Sequence, residues 1–346
     1  MKGTIADLPI TMDLVQMKGA ADEYEPYIFS GHYYYDKYQQ PIALYGEFDS
    51  VGNIILHESH GQDEDMYFTG KFDVSGSLSG TWCDTASKRT LAFALKETAV
   101  DGAIAFDFHM FEDSVKGWEH LPNSPIGSFD MQLLLPDKNT EGGIAAFLKN
   151  RILMGISNDT IEKSYTKVSL DAFKNAKRDT FFTDYLAAAA EEKPDSTGLL
   201  PAMLNHAQSS SVAVIFNENK LLSLGFAEYS YSGGAHGNHA TGIATYDLAQ
   251  KKALTLSNIF LPKYEKVVKN ALTNAVRRHF KLTPKESLSS VLFDNTIEPT
   301  NNFCITQKGI LFLYNPYEIA AYAMGEIELF IPFEEVKSVV NPRFLQ

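Results

Sequence analysis

The first third of the chain is a series of short runs in which apolar and polar residues alternate, with Asp, Gly, Ser or Asn between the runs. In one example, residues 42–48 are followed by the turn sequence 49–53 and by a new apolar run from Ile54. A period of two predicts β-strands, and turn residues at intervals of roughly 8–12 residues predict hairpins. The pattern therefore predicts an antiparallel meander, sandwich or barrel-like domain over residues 24–122, with residues 1–23 as an N-terminal tail.

Four glycines lie in or beside these runs, namely Gly31, Gly46, Gly70 and Gly80. Because glycine has no side chain, it lets a second backbone approach closely and lets a strand coil sharply, as the corners of a small barrel require. The Pro-rich segment 121–125 cannot continue a strand ladder, and we interpret it as a linker that ends the β-rich domain.

Beyond this linker the sequence changes from strands alone to strands and helices. Helical spacing of apolar residues predicts helices over 140–154, 169–190 and 257–280, and the segment 193–198 stops the second of them. Helices and strands segregated in this way indicate an α+β domain, which we divide into a first half, 128–215, and a second half, 216–346. Strands are predicted at 128–135, 211–217, 221–231, 241–247, 253–256, 303–306, 309–314 and 326–331.

The excess of acidic residues indicates which classes of binding partner the chain would attract and which it would repel. The chain has 346 residues, with 43 Asp and Glu against 30 Lys and Arg, and a formal charge of -13. Nucleic-acid phosphates would be repelled, whereas basic proteins such as the animal-type lysozymes would be attracted. No apolar run reaches the roughly 18 residues that a membrane helix needs, and the first residues lack the pattern of a signal peptide. We therefore expect that an exported form would have lost its leader.

Sequence patterns of known catalytic centres are not found. Cys83 and Cys304 have no neighbours that would activate a thiol, and two distant cysteines predict unpaired thiols rather than a disulfide framework. The His-Glu-Ser-His sequence at 57–60 is one residue short of the H-E-x-x-H zinc motif. It also lies in strand-type sequence, where positions i and i+3 face opposite sides. We therefore expect no enzyme activity, no cofactor and no metal.

The most distinctive stretch is a Gly-rich connection between two predicted strands, which contains Tyr231, Gly233, Gly234, His236 and His239. A phosphate-binding loop would need a following helix N-terminus and usually a lysine, and the sequence has neither here. His236 and His239 could ligate a metal, but no third ligand is near in sequence. We favour a structural role, in which the glycines adopt positive φ angles and His236 hydrogen-bonds to the backbone.

A second distinctive stretch, 314–325, combines the end of a strand, an Asn-Pro-Tyr-Glu turn and a short helical turn before Gly325. Glu318 could be catalytic, but the sequence places no second carboxylate beside it. We therefore interpret Tyr317 and Glu318 as residues that help to close the domain.

The start of the β-rich domain is rich in aromatic residues. Exposed aromatic faces bind sugars, whereas alternating aromatic residues are also typical of half-buried strands. We favour the strand interpretation and keep glycan binding as an alternative. The residues are Tyr24, Tyr27, Phe29, Tyr33, Tyr34, Tyr35 and Tyr38.

Several blocks of sequence, in a fixed order, resemble a known family. They are residues 229–237, 246–248, 254–260, 312–325 and 331–333. Together they resemble the extracellular C-terminal domain of RsiV-type lysozyme-binding anti-sigma factors, a domain of unknown function that is also found ahead of peptidoglycan deacetylase domains. The resemblance covers about residues 128–340. The strands before it resemble β-rich envelope modules found ahead of such domains.

The resemblance implies an outward-facing α+β module that binds lysozyme in its best-known form and is not known as an enzyme. We therefore expect a non-catalytic cell-envelope protein, lipid-anchored in the periplasm or at the cell surface, that recognises a lysozyme-type muramidase or a peptidoglycan glycan. The chain lacks a sigma-binding segment, so signalling to a sigma factor is not expected. Two alternatives stay open. One is a metal-dependent hydrolase or deacetylase that acts on wall polymers through His236, His239 or Glu318, and the other is a structural partner in an outer-surface assembly.

Overall fold

The computed structural model describes residues 1–16, 29–58, 66–192 and 204–345. The chain divides into two compact units. Unit 1 comprises Met1–Ile104, Ala213–Gly225 and Ile243–Gln346, and unit 2 comprises Ala105–Val212 and Phe226–Gly242. Some residues considered above lie outside the described part of the chain, namely Tyr24, Tyr27, Ser59, His60 and the predicted helix stop at 193–198.

Unit 1 begins with a closed antiparallel barrel of eight strands. Each strand pairs with its neighbours in sequence, and β1 also pairs with β8, so the barrel has no open edge strand. The predicted barrel-like fold is confirmed, but the barrel ends at Lys96 and not at the predicted domain boundary at residue 122. The strands are β1 (Lys2–Ile5), β2 (Leu8–Gln16), β3 (Phe29–Tyr35), β4 (Ile42–Phe48), β5 (Ile54–Glu58), β6 (Met66–Phe72), β7 (Leu78–Asp84) and β8 (Arg89–Lys96).

Alternation of side chains along the strands fills the barrel with apolar groups, including Ile10, Leu56 and Phe68. Two of the glycines allow the close backbone approach that the sequence predicts. A Cβ on Gly46 would lie 1.8 Å from the Ile55 carbonyl oxygen, and a Cβ on Gly31 would lie 2.0 Å from the Asp13 carbonyl oxygen. Any larger residue at either position would push two strands apart.

The first sixteen residues form part of the barrel, although the sequence analysis assigned them to an N-terminal tail. Ile5, Ile10 and Met12 are fully buried in the barrel core. The turn between β1 and β2 is Ala6-Asp7, and Ala6 has a φ angle of 49°. Hairpin turns with positive φ usually contain Gly or Asn, so this turn gave no sequence signal.

The remaining strands form two sheets, and the predicted α+β class is confirmed. One sheet has six strands in the order β14-β13-β12-β11-β10-β9, and the other has the order β15-β16-β17. The strands are β9 (Phe106–Lys116), β10 (Ile126–Pro136), β11 (His206–Glu218), β12 (Leu221–Tyr231), β13 (Asn238–Asp247), β14 (Lys252–Ala253), β15 (Phe303–Ile305), β16 (Gly309–Tyr314) and β17 (Ile327–Pro332).

Helices pack on each sheet. Helices α1 (Gly142–Ile156) and α2 (Leu170–Glu191) contact β10 in unit 2. In unit 1, α3 (Leu256–Ile259) precedes α4 (Glu265–His279), which contacts β17, and α5 (Phe333–Val336) follows that strand. The single helix predicted over 257–280 is therefore two helices. Pro262 lies in the break, and Lys263 has a φ angle of 69°, which no α-helix accommodates.

Within unit 1, the outer face of β2 and β3 packs against the end of β11. The Tyr34 and Phe216 ring centroids are 5.5 Å apart, and the two side chains share a buried cluster with Cys304. The Tyr34 hydroxyl donates to Glu218 Oε2 at 2.9 Å, and Lys2 Nζ donates to Glu218 Oε1 at 3.0 Å. Because a buried carboxylate without partners is costly, these two donors stabilise the contact between barrel and strand.

The same contact contains two groups whose pKa values move in opposite directions. His32 and Asp13 are opposite each other on β3 and β2, and His32 Nδ1 lies 2.8 Å from the Val214 carbonyl oxygen. Burial lowers the pKa of His32 to about 4, so the neutral ring donates its Nδ1 proton to that oxygen. Burial, with a contribution from Glu218, raises the pKa of Asp13 to about 6.

The carboxylate of Glu58, which is 1% exposed, lies in the barrel interior. The Tyr33 hydroxyl donates to Glu58 Oε1 at 2.6 Å, and the Trp82 ring nitrogen donates to the same oxygen at 2.5 Å. The carboxylate therefore satisfies two buried donors that have no access to water.

Replacing Glu58 with alanine should lower the free energy of unfolding by about 2–4 kcal/mol, because it leaves the Tyr33 and Trp82 donors unsatisfied and opens a cavity. Glu58→Gln keeps an oxygen at Oε1 and should lose less than half as much. Urea unfolding followed by tryptophan fluorescence measures both changes. Glu97→Ala, at an exposed carboxylate just after β8, is the control and should have little effect. Equal losses for the alanine and glutamine variants would contradict this account.

His32 should make the fold sensitive to acid. Between about pH 6.5 and pH 4 the unfolded chain binds a proton at this residue and the folded chain does not, so stability falls as pH falls, by roughly 1–3 kcal/mol. Asp13 acts in the opposite sense, because its raised pKa means that the folded chain binds the extra proton between about pH 4 and pH 6. We expect His32→Gln to lose less stability than the native chain between about pH 7 and pH 4.5, and Asp13→Asn to lose more. Urea unfolding at the two pH values tests this, and shifts of the same sign in both variants would refute it.

Candidate functional site

The Gly-rich stretch forms the hairpin between β12 and β13, and its tip lies in unit 2. Gly233 and Gly234 have φ angles of 89° and 99°, the positive values expected for them. The Tyr231 hydroxyl donates to the Gly234 carbonyl oxygen at 3.0 Å. His236 Nδ1 lies 2.9 Å from the Gly237 carbonyl oxygen, so this ring contacts the backbone of its own loop. The side chains thus shape the hairpin locally.

His236 and His239 are both exposed at this hairpin. Over the described residues, no group of three His, Cys, Asp or Glu side chains is arranged to hold a metal ion. A feature that the sequence did not reveal is the packing of Tyr229 on Gly237. A Cβ on Gly237 would lie 2.4 Å from the Tyr229 ring, so that only glycine allows this ring to cover the base of the loop.

Tyr317 and Glu318 lie in unit 1, in the turn after β16. The Glu318 backbone N–H donates to the Asn315 carbonyl oxygen at 3.0 Å, and Glu318 Oε2 accepts the Asn315 N–H at 3.0 Å. The carboxylate therefore closes the turn. Tyr317 has a φ angle of 67° and is 61% exposed. An aromatic residue in the left-handed region is uncommon, and such strain often marks a functional position.

Exposed apolar side chains are gathered around this turn. The Tyr317 and Tyr322 ring centroids are 5.4 Å apart, and Met324, two residues further, is 41% exposed. Phe293 is 56% exposed, and its N–H donates to the Ile319 carbonyl oxygen at 2.8 Å. We refer to Phe293, Tyr317, Tyr322 and Met324 as the Tyr317 patch. Sequence reasoning missed Phe293, because only the fold brings its loop to this turn.

Acidic residues flank the Tyr317 patch. Asp294 follows Phe293, Glu318 follows Tyr317, and Glu326 is two residues after Met324. Of these three, Glu318 acts on the buried Tyr314, whose pKa is raised by burial and further by Glu318 and Glu298. The patch residues are therefore apolar, and acidic residues lie next to them in sequence.

The other candidate residues are structural. Glu58 faces the barrel interior, whereas the neighbouring His57 ring lies beside the rings of Tyr45 and Tyr67, at 5.6 and 6.0 Å. Cys83 and Cys304 are free thiols, as predicted, and burial raises the pKa of Cys304 to about 12. A thiol with such a pKa is a poor nucleophile.

The aromatic start of the barrel divides into two groups. Phe29, Tyr33 and Tyr34 are buried, in agreement with the strand interpretation, whereas Tyr38 is 58% exposed. Only Tyr38 among these four offers a ring to a ligand.

Comparison with known families identifies two segments. Residues 257–334, which include the Tyr317 turn, match the family described as "Protein of unknown function (DUF3298)". The chain carries a DUF3298-type domain. Residues 147–239, which run from α1 to the Gly-rich hairpin, match the family described as "Deacetylase PdaC". Together the two matches suggest a cell-envelope-related protein.

Solved and curated relatives match the chain at low sequence identity. A DUF3298 family member from Bacteroides fragilis has 23% sequence identity and a TM-score of 0.62, covering 71% of this chain and 98% of its own, and it shares the fold. The immunogenic proteins MPB64 of Mycobacterium bovis and MPT64 of Mycobacterium tuberculosis are each 23% identical over 118 residues, which is 32% of this chain and 49% of theirs. The chain thus spans about half the length of these curated relatives. Across the described residues, none of the helices has both the length and the apolar character to cross a membrane.

The strain at Tyr317 predicts the order of two variants. Tyr317→Gly removes the contacts of the ring, which lowers stability, and removes the energetic penalty of a positive φ, which raises it. The free energy of unfolding of this variant should therefore stay within about 1 kcal/mol of the native value. Tyr317→Ala loses the ring and keeps the penalty, so it should be less stable than the glycine variant by about 1 kcal/mol. Urea unfolding of the two variants measures the difference. If alanine is as stable as glycine, the turn is unstrained.

Proposed function

We propose that this protein is a non-catalytic, extracytoplasmic envelope protein that recognises a lysozyme-like protein through the Tyr317 patch. The patch carries the proposal, since it presents a strained, exposed tyrosine in the DUF3298-type segment. A wall glycan is the second ligand class, and an observation elsewhere in unit 1 favours it, as described below.

The composition of the Tyr317 patch supports a protein ligand. Aromatic residues and Met are enriched in the centres of protein interfaces, where a few of them supply most of the binding free energy. Tyr317 and Phe293 are more than half exposed in the free chain, so both rings can become buried on association. A polar rim around such a centre excludes water from it.

The acidic residues beside the patch support a basic ligand. The chain has a formal charge of -13, and the residues beside the patch include Asp294, Glu318 and Glu326. Opposite charge on a partner speeds association and disfavours acidic competitors. Animal-type lysozymes are basic, so that their surface is complementary to this one.

The hydrolase alternative finds less support in the geometry. Glu318 Oε2 accepts a backbone N–H of its own turn, and His236 contacts the backbone of its own loop. A general acid or base has to reach a substrate proton within hydrogen-bond distance. Side chains that form hydrogen bonds within their own turn are better suited to shaping a surface than to transferring a substrate proton.

The test is a titration of the chain with an animal-type lysozyme by isothermal calorimetry. We expect binding that weakens with added salt, and a loss of about tenfold or more in affinity for Phe293→Ser and for Tyr317→Gly. Val51→Ser removes an apolar side chain that is 70% exposed, in the turn between β4 and β5, and is the matched control. Thermal melts verify that each variant is folded.

Absence of lysozyme binding by the native chain would overturn the proposal. So would binding that the Phe293 and Tyr317 variants leave unchanged. Release of acetate or of reducing sugar from peptidoglycan that is lost in His236→Ala would establish the hydrolase alternative instead.

A further inference from the structure

A groove in unit 1 gathers basic and aromatic side chains on an acidic protein. Its volume is about 320 Å³. The turn between β3 and β4 forms one wall, the turn between β15 and β16 a second, and α5 with the end of β17 a third. We call it the lysine groove, and its ligand-facing residues are Lys37, Tyr38, Lys308, Phe330, Phe333 and Lys337.

Hydrogen bonds hold the three walls in place. The Gln39 side chain is buried, and its Oε1 accepts the Gln307 backbone N–H at 2.9 Å, which joins the first wall to the second. The Lys308 carbonyl oxygen accepts the Phe333 N–H at 2.8 Å, which joins the second wall to the third. A groove whose walls are already fixed needs little ordering when a ligand binds.

The groove has an excess of positive charge. Lys337 and Glu334 lie 3.8 Å apart as an exposed ion pair, so their charges offset each other. The ammonium groups of Lys37 and Lys308 supply the excess positive charge. Within the described part of the chain, neither Lys37 nor Lys308 forms an ion pair with a carboxylate. At physiological salt, charges more than about 8 Å away are screened, so distant carboxylates of this acidic chain contribute little to the field at these lysines.

The aromatic residues give the groove an apolar side. Tyr38 is 58% exposed and its ring lies 5.0 Å from Lys37 Nζ, so one residue pair offers both a ring face and a cation. The C–H face of a sugar ring packs on an aromatic face, and a lysine attracts a carboxylate as a point charge. The volume of the groove lies at the lower end of the range for ligand pockets, which is enough space for about one or two sugar rings.

We propose that the lysine groove binds a carboxylate-bearing saccharide, such as a glycan unit that contains N-acetylmuramic acid. The proposal rests on the function proposed above, recognition of wall ligands, and assigns a second ligand to a separate surface. The ligand carboxylate lies between Lys37 and Lys308, and a sugar ring stacks on Tyr38.

The experiment compares two disaccharides that differ in one carboxylate. N-acetylglucosaminyl-N-acetylmuramic acid carries a lactyl carboxylate, whereas N,N'-diacetylchitobiose is neutral. In calorimetric titrations of the native chain we expect the acidic disaccharide to bind about tenfold more tightly. Lys308→Gln and Lys37→Gln should each remove most of this preference, and Tyr38→Ala should weaken both ligands. Lys266→Gln, at an exposed lysine on α4, is the matched control.

Equal affinity for the two disaccharides, or no binding of either at millimolar concentration, would overturn the proposal. Binding that survives in Lys308→Gln and Tyr38→Ala would overturn it as well, since the ligand would then lie elsewhere. Lysozyme binding by the same groove variants separates the two proposals. If the native chain binds the saccharide but not lysozyme, only the proposal for the Tyr317 patch is contradicted. If it binds lysozyme but not the saccharide, only the proposal for the lysine groove is contradicted.

Discussion

Tyr34 joins the barrel to the rest of unit 1, and the arrangement of that unit depends on this contact. Its ring packs against Phe216, and its hydroxyl donates to the buried carboxylate of Glu218, which also pairs with Lys2. Without these donors the carboxylate would be buried and unsatisfied. The contact therefore fixes where the outer face of β2 and β3 lies relative to β11. It also fixes the turn after β3, which carries Lys37 and Tyr38 into the lysine groove.

Unit 1 has two surfaces with opposite character. The Tyr317 patch is apolar with acidic neighbours, and the lysine groove is aromatic with basic ones. Opposite local charge lets one acidic chain attract a basic protein and an acidic saccharide at different places, because each field decays within about a Debye length. A protein that recognises both a wall-degrading enzyme and the wall itself would need two such surfaces.

Some of the candidate site follows from sequence, and some does not. The Gly-rich hairpin and the Asn-Pro-Tyr-Glu turn are local structures, so Gly233, Gly234 and Glu318 could be assigned shaping roles from their neighbours alone. Phe293 and Lys308 could not be found in this way. Each joins its surface through contacts between loops that are distant in sequence, and exposed Lys or Phe residues in loops have no periodic pattern.

The sequence by itself determined the strand periodicity, the close-approach glycines of the barrel and the α+β class, because these depend on residues that are near one another in the chain. Tertiary structure decided that β1 and β2 close the barrel, since the turn between them has no sequence signal. It also decided that unit 1 draws on three separate stretches of chain. Which side chains meet on a surface is set by long-range packing, and one-dimensional spacing carries no information about it.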